Sequence, residues 1–181
     1  MSELKIFSES NPGRPELVSA DHETIAEQLS LVGVRFERWN TNANLGAGAG
    51  QDEVIDVYRE DIDRLMQKGG YQTVDVISLT ADHPDKNALR KKFLSEHTHS
   101  EDEVRFFVFG EGLFSLHIKD KIYEVLCQQG DLIGVPAMTT HWFDMGPNPN
   151  FTAIRLFNNP EGWVANFTGS DIADRFSRLE N

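Results

Sequence analysis

The stretch His97-Thr98-His99-Ser100-Glu101-Asp102-Glu103 constrains this chain more than any other, because with the distant His141 it supplies the donors of a metal site. Two imidazoles one residue apart, a carboxylate four residues past the second and a third imidazole far along the chain make a nitrogen-rich set with one hard oxygen. Such a set suits iron, nickel, manganese, cobalt or zinc, whereas magnesium and calcium prefer shells of oxygen alone. Positions two apart on an extended strand share a face, so His97 and His99 can meet one ion. If that strand continues, Glu103 and Arg105 join the same face while Val104, Phe106 and Val108 pack on the other. His141 comes within reach only if the intervening chain doubles back.

At 181 residues the chain is long enough for one domain with a proper core and short for two. A single domain over 1–181 is expected, with an α/β elaboration over about 1–95 and a β core over about 96–167. A net charge of −12 repels phosphate backbones and anionic membrane surfaces, so neither nucleic acid nor membrane is an expected partner. No stretch approaches the roughly 20 apolar residues of a membrane span, and the first residues lack the pattern of an export signal. A cytoplasmic monomer is the expectation. The single cysteine, Cys127, excludes an internal disulfide and reads as a small apolar strand residue.

In chain order, a strand at Leu4–Phe7 precedes a turn-rich stretch, Asn11-Pro12-Gly13-Arg14-Pro15. A helix follows, with Asp21 as its cap, Ile25, Leu29 and Val32 as its apolar stripe and Gly33 at its end. Val34–Trp39 alternates as a half-buried strand does, and Asn40–Gly50 is a loop rich in Gly, Ala and Asn. Val54, Tyr58, Ile62 and Leu65 predict one helix over Gln51–Lys68. Val74–Leu79 is strand-like, and Asp85 is placed to cap a basic helix over Lys86–Leu94. Beyond Glu103 come six short strands at Arg105–Phe109, Leu113–Ile118, Ile122–Leu126, Leu132–Val135, His141–Asp144 and Phe151–Phe157. Turn signals separate them, which indicates a sandwich or barrel. A last helix is expected over Asp171–Leu179.

Three histidines and one carboxylate on a six-coordinate ion leave about two positions for solvent or substrate. A structural zinc is normally closed by four ligands, often thiolates, and one thiol cannot supply that. Arg105 would then stand beside the metal to receive an anionic chelating substrate, or else pair with one of the chain's many acids. Phe93 and Phe143 could wall a planar substrate or belong to the core. His22, His83 and His117 lack ligand-like spacing and read as structural.

The pattern His97-x-His99, Glu103, Gly110, then Gly130, Pro136 and His141, resembles the paired motifs of the cupin superfamily. That resemblance implies a mostly β fold with flanking helices, the cupin jelly-roll barrel, holding one metal through three histidines and a glutamate. Lys91, Met138 and Met145 depart from the wider cupin pattern at a glycine, a small residue and an asparagine. Longer stretches are similar to the acireductone dioxygenases: Phe93–His99, Glu101–Val108, Val135-Pro136-Ala137, His141–Gly146, Phe151–Arg155, Asn159-Pro160-Glu161-Gly162-Trp163, and upstream Gly33–Trp39 and Asp75–Leu79. This resemblance implies one iron(II) or nickel(II) ion per chain on His97, His99, Glu103 and His141, with acireductone and O2 as substrates in methionine salvage. It also implies roles for Glu96 in metal incorporation, Asp102 in relaying local conformational change, and Arg105 in holding the substrate dianion. The alternatives are another cupin enzyme, an isomerase or manganese decarboxylase, or a non-catalytic small-molecule-binding cupin.

Overall fold

Two antiparallel sheets account for the core of the computed structural model, which describes residues 1–41, 45–159 and 164–180. The strands are β1 (Glu3–Ser8), β2 (Leu17–Ser19), β3 (Arg35–Arg38), β4 (Thr73–Leu79), β5 (His97–Thr98), β6 (Glu103–Phe109), β7 (Glu111–Ile118), β8 (Lys121–Gln128), β9 (Asp131–Val135), β10 (Thr140–Asp144), β11 (Phe151–Phe157) and β12 (Asn166–Phe167). One sheet runs β12-β5-β10-β7-β8-β1-β2 and the other β3-β9-β6-β11-β4. The fold is the mostly β, cupin-like arrangement expected. β6 to β11 supply the inner strands, and β1 to β4 extend both sheets outward.

Alternation along the strands sorts the apolar residues into three layers. Phe107, Phe114, Leu116, Val125, Phe143 and Phe151 point between the sheets, joined by Ile25 and Leu29 of helix α1 (His22–Ser30). Asp21 starts α1 as expected, its carboxylate accepting the Thr24 N–H at 2.9 Å. The opposite parity of β6, carried by Val104, Phe106 and Val108, faces Val54, Tyr58, Ile62 and Leu65. Those four belong to helices α2 (Gln51–Val57) and α3 (Arg59–Gly69) and the residue between them. On the outer face of the larger sheet, Phe7, Ile122 and Trp142 are covered by Ile172, Ala173 and Phe176. Gly110, one of the motif glycines, sits at φ 74 where β6 turns into β7, and a Cβ there would lie 2.0 Å from the Asn150 carbonyl oxygen.

Several expectations need correction. The helix predicted over 51–68 is two helices, because Tyr58 leaves helical geometry (φ −104, ψ 17) and buries its ring edge-on to Phe106, 5.3 Å between centroids. The helix predicted over 171–179 is one 3-10 turn, Ile172–Arg175. Phe176 after it is extended (φ −107, ψ 174), and sheet carboxylates accept the next N–H groups: Glu124 that of Ser177 and Asp144 that of Leu179, each at 2.9 Å. The basic helix, α4 (Lys86–Phe93), forms, but the Asp85 side chain makes no cap bond to it. The strand of His97 does not continue to Glu103: β5 ends at Thr98, and the chain crosses to the other sheet before β6 begins. Part of the 40–50 loop, residues 42–44, and the Pro160-Glu161-Gly162-Trp163 portion of the quoted family stretch lie outside the described residues.

Candidate metal centre

Strand pairing brings the three imidazoles together. β5 and β10 are antiparallel with His97 directly opposite His141, and their ring centroids are 4.5 Å apart. His99 follows β5, and its ring lies 5.1 Å from His97 and 5.3 Å from His141. One nitrogen from each of the three lies within 4.8 Å of the others. Each Nδ1 faces a backbone carbonyl: Ser95 at 2.7 Å from His97, Val164 at 3.0 Å from His99 and Thr139 at 2.8 Å from His141. A carbonyl can only accept, so Nδ1 donates and a neutral ring keeps its Nε2 lone pair for an ion. Burial, reinforced by the neighbouring His141, lowers the pKa of His97 to about 4, and burial lowers that of His99 as well. Both rings are therefore neutral near pH 7 and ready to coordinate.

Glu103 arrives from the opposite sheet. Its Oε2 is 3.4 Å from His99 Nε2 and 3.7 Å from His141 Nε2, and it is buried with no hydrogen-bond partner. Those separations are long for hydrogen bonds and suit donors arranged around an ion. Burial pushes the carboxyl pKa up, yet the Arg105 guanidinium holds it well below the usual range. The orphaned, charged oxygen facing free imidazole nitrogens is the observation that fits these residues to a divalent metal with a mixed nitrogen and oxygen shell.

The donors open onto a cavity of about 240 Å³. Ile77, Leu89, Phe93, Phe143 and Phe157 make an apolar wall, and Lys92, Arg105 and Arg155 bring positive charge. Phe93 and Phe143 thus both line the site, edge to face at 6.2 Å, and Phe143 also belongs to the core. Arg105 lines the cavity, and it pairs with an acid that is Glu103 itself, Nη2 to Oε1 at 2.7 Å. Arg155 makes a two-point pair with Asp75 at 2.8 and 2.6 Å. A wider groove, lined by Arg38, Gln129 and Asn150 among others, holds none of the metal donors.

Glu96 and Asp102 do not line this cavity. The Glu96 carboxylate faces His117 Nδ1 at 2.8 Å and accepts the Thr168 hydroxyl at 2.8 Å, while His117 Nε2 lies 2.9 Å from Glu9. Asp102 accepts the Ala137 N–H at 2.7 Å, tying the link between β5 and β6 to the turn after Pro136. His117, read from the sequence as structural, meets these two carboxylates across 21 and 108 residues of chain. Sequence reasoning passed over Phe114, which the parity of β7 could have placed on the inner face with Leu116.

Comparison with known proteins agrees with this geometry. The chain is 63% identical over 178 residues to acireductone dioxygenase of Alcanivorax borkumensis, covering 98% of each protein. It is 62% identical over 181 residues to that of Pseudomonas fluorescens, covering all of both. Among solved structures, acireductone dioxygenase from Bacillus anthracis, with a cadmium ion in its active centre, matches with a TM-score of 0.77 at 31% identity, covering 92% of this chain and 98% of that one. The family profile described as ARD/ARD' matches residues 3–165, and with histidines and glutamate brought together as described, the chain belongs to that family of acireductone dioxygenases.

Proposed function

We propose that the protein cleaves acireductone with O2 in methionine salvage, using one iron(II) or nickel(II) ion held by His97, His99, Glu103 and His141. The observation that carries this reading is the unpartnered Oε2 of Glu103 facing the histidine nitrogens at the head of an apolar, cation-bearing cavity. The cadmium in the active centre of the Bacillus anthracis relative supports a metal here too. When bound, the ion supplies Lewis-acid and template chemistry for a chelating enediolate. The chain's own groups do the rest. The backbone carbonyls of Ser95, Val164 and Thr139 fix the ring orientations, Arg105 offers a fixed charge to the doubly deprotonated substrate, and Phe93 and Phe143 exclude water from its apolar part.

The metal decides the products in this proposal. With iron the reaction yields formate and the ketoacid precursor of methionine; with nickel it yields formate, carbon monoxide and methylthiopropionate. Metal-free protein reconstituted separately with each ion should consume O2 with acireductone in both cases, with carbon monoxide in the headspace of the nickel sample only. Identical products would reject metal-controlled chemistry, and no oxygen uptake from either form would reject the reaction itself.

A further inference from the structure

Arg105 is a buried cation whose Nε has no hydrogen-bond partner and whose Nη2 holds Oε1 of Glu103. Left to itself, a guanidinium beside a carboxylate prefers the two-point fork, which here would engage Oε2 as well and take it from the histidines. Two aromatic rings lie against the guanidinium. The guanidinium carbon lies 4.8 Å from the Phe114 centroid and 4.7 Å from the Phe143 centroid. Those two centroids are themselves 4.9 Å apart, with the ring planes tilted by 47°. The three points form a nearly equilateral triangle, so the cation rests on a notch made by two adjacent rings and is not sandwiched between them. Phe143 can lean into that notch because Gly112 has no side chain: a Cβ there would meet its ring atoms at 2.4 Å. Core packing alone accounts for two buried phenylalanines, but not for both rings lying beneath one guanidinium.

We propose that Phe114 and Phe143, in space cleared by Gly112, form an aromatic cradle that positions Arg105 to hold one oxygen of Glu103, leave the other free for the metal, and face a dianionic substrate. The substrate half rests on the function proposed above, whereas the metal half stands on geometry alone. The electron-rich ring faces attract the cation from one side and keep water from it. Phe114 and Phe143 are positioning residues, acting through Arg105.

The test replaces Phe114 site-specifically with phenylalanine carrying one, two or three ring fluorines, which nearly preserves shape while weakening the ring's attraction for a cation in steps. Nickel(II) affinity of the metal-free protein is read by competition with a chromophoric chelator. KM, kcat and the spectral shift of bound acireductone dianion are read on the loaded enzyme. Affinity for nickel should fall stepwise, by about three- to tenfold at the third fluorine, with KM rising to a similar degree, kcat changing less and the spectral shift fading. Gly112→Ala, which displaces the Phe143 ring without altering any charge, should reproduce the pattern. Nickel affinity unchanged across the fluorine series, at an unchanged melting temperature, overturns the cradle. If the native protein turns over no acireductone, the proposed function fails and the nickel measurement still decides the cradle.

Discussion

His117 stands between two carboxylates, Glu96 and Glu9, and its charge has a pH consequence. Burial works against protonation, but the hydrogen bonds and charges of Glu96 and Glu9 outweigh it and raise the pKa above the ordinary 6.5. The folded protein therefore binds this proton more tightly than the unfolded chain does. The stabilisation is fully present below the ordinary histidine value and is lost as pH rises through the higher folded value. The melting-temperature gap between the native protein and His117→Gln should be widest in mildly acid solution and close in alkali; a gap widening with pH would contradict this. Glu103→Gln keeps the shape and removes the charge, and it should weaken metal binding at least as much as the roughly 10–100-fold lost when a ligand's supporting partner is removed. Metal analysis of the dialysed variant would check it. The histidine cluster was legible because motif spacing carries it, whereas the contacts of Glu96 with His117 and Thr168 and of Asp102 with Ala137 follow no local pattern.

Among the elements, the strands from β6 to β11 were readable because they are short, largely apolar runs separated by turn signals. The break at Tyr58 was not: its ring packs on Phe106, 48 positions on in another element, a contact no local pattern encodes. The crossing between β5 and β6 was hidden for a related reason: periodicity describes a strand and says nothing about which sheet receives it. Met138 lies in the turn leading into β10, where its N–H bonds the His99 carbonyl at 2.9 Å and its φ is 62, a conformation costly to a residue with a side chain. With the side chain exposed, Met138→Gly loses little packing, and it should raise stability by about 0.5–1 kcal/mol, the relief of left-handed strain exceeding the entropy cost of glycine. Thermal melting of the two proteins measures it, and a lower melting temperature for the glycine variant would show that the strain is already relieved.

For the molecule as a whole, the outer face of the larger sheet depends on a short C-terminal segment. Phe176 is buried against Phe7 at 5.7 Å and Trp142 at 6.2 Å, so Phe176→Ala should cost about 3 kcal/mol, lowering Tm by several degrees. A Tm within a degree of the native value would mean that the segment contributes nothing to the packing of that face. The donors of the proposed metal site come from both sheets, His97 and His141 from one and Glu103 from the other, and among the described residues the two sheets share no strand pairing. An ion held there would act as a clasp between them, adding about 4 kcal/mol when free metal stands a thousandfold above its Kd. The consequence reaches beyond turnover. In a metal-starved cell, copies made without an ion would part more readily at that end and meet proteases sooner, so the amount of protein would follow metal supply even at constant synthesis.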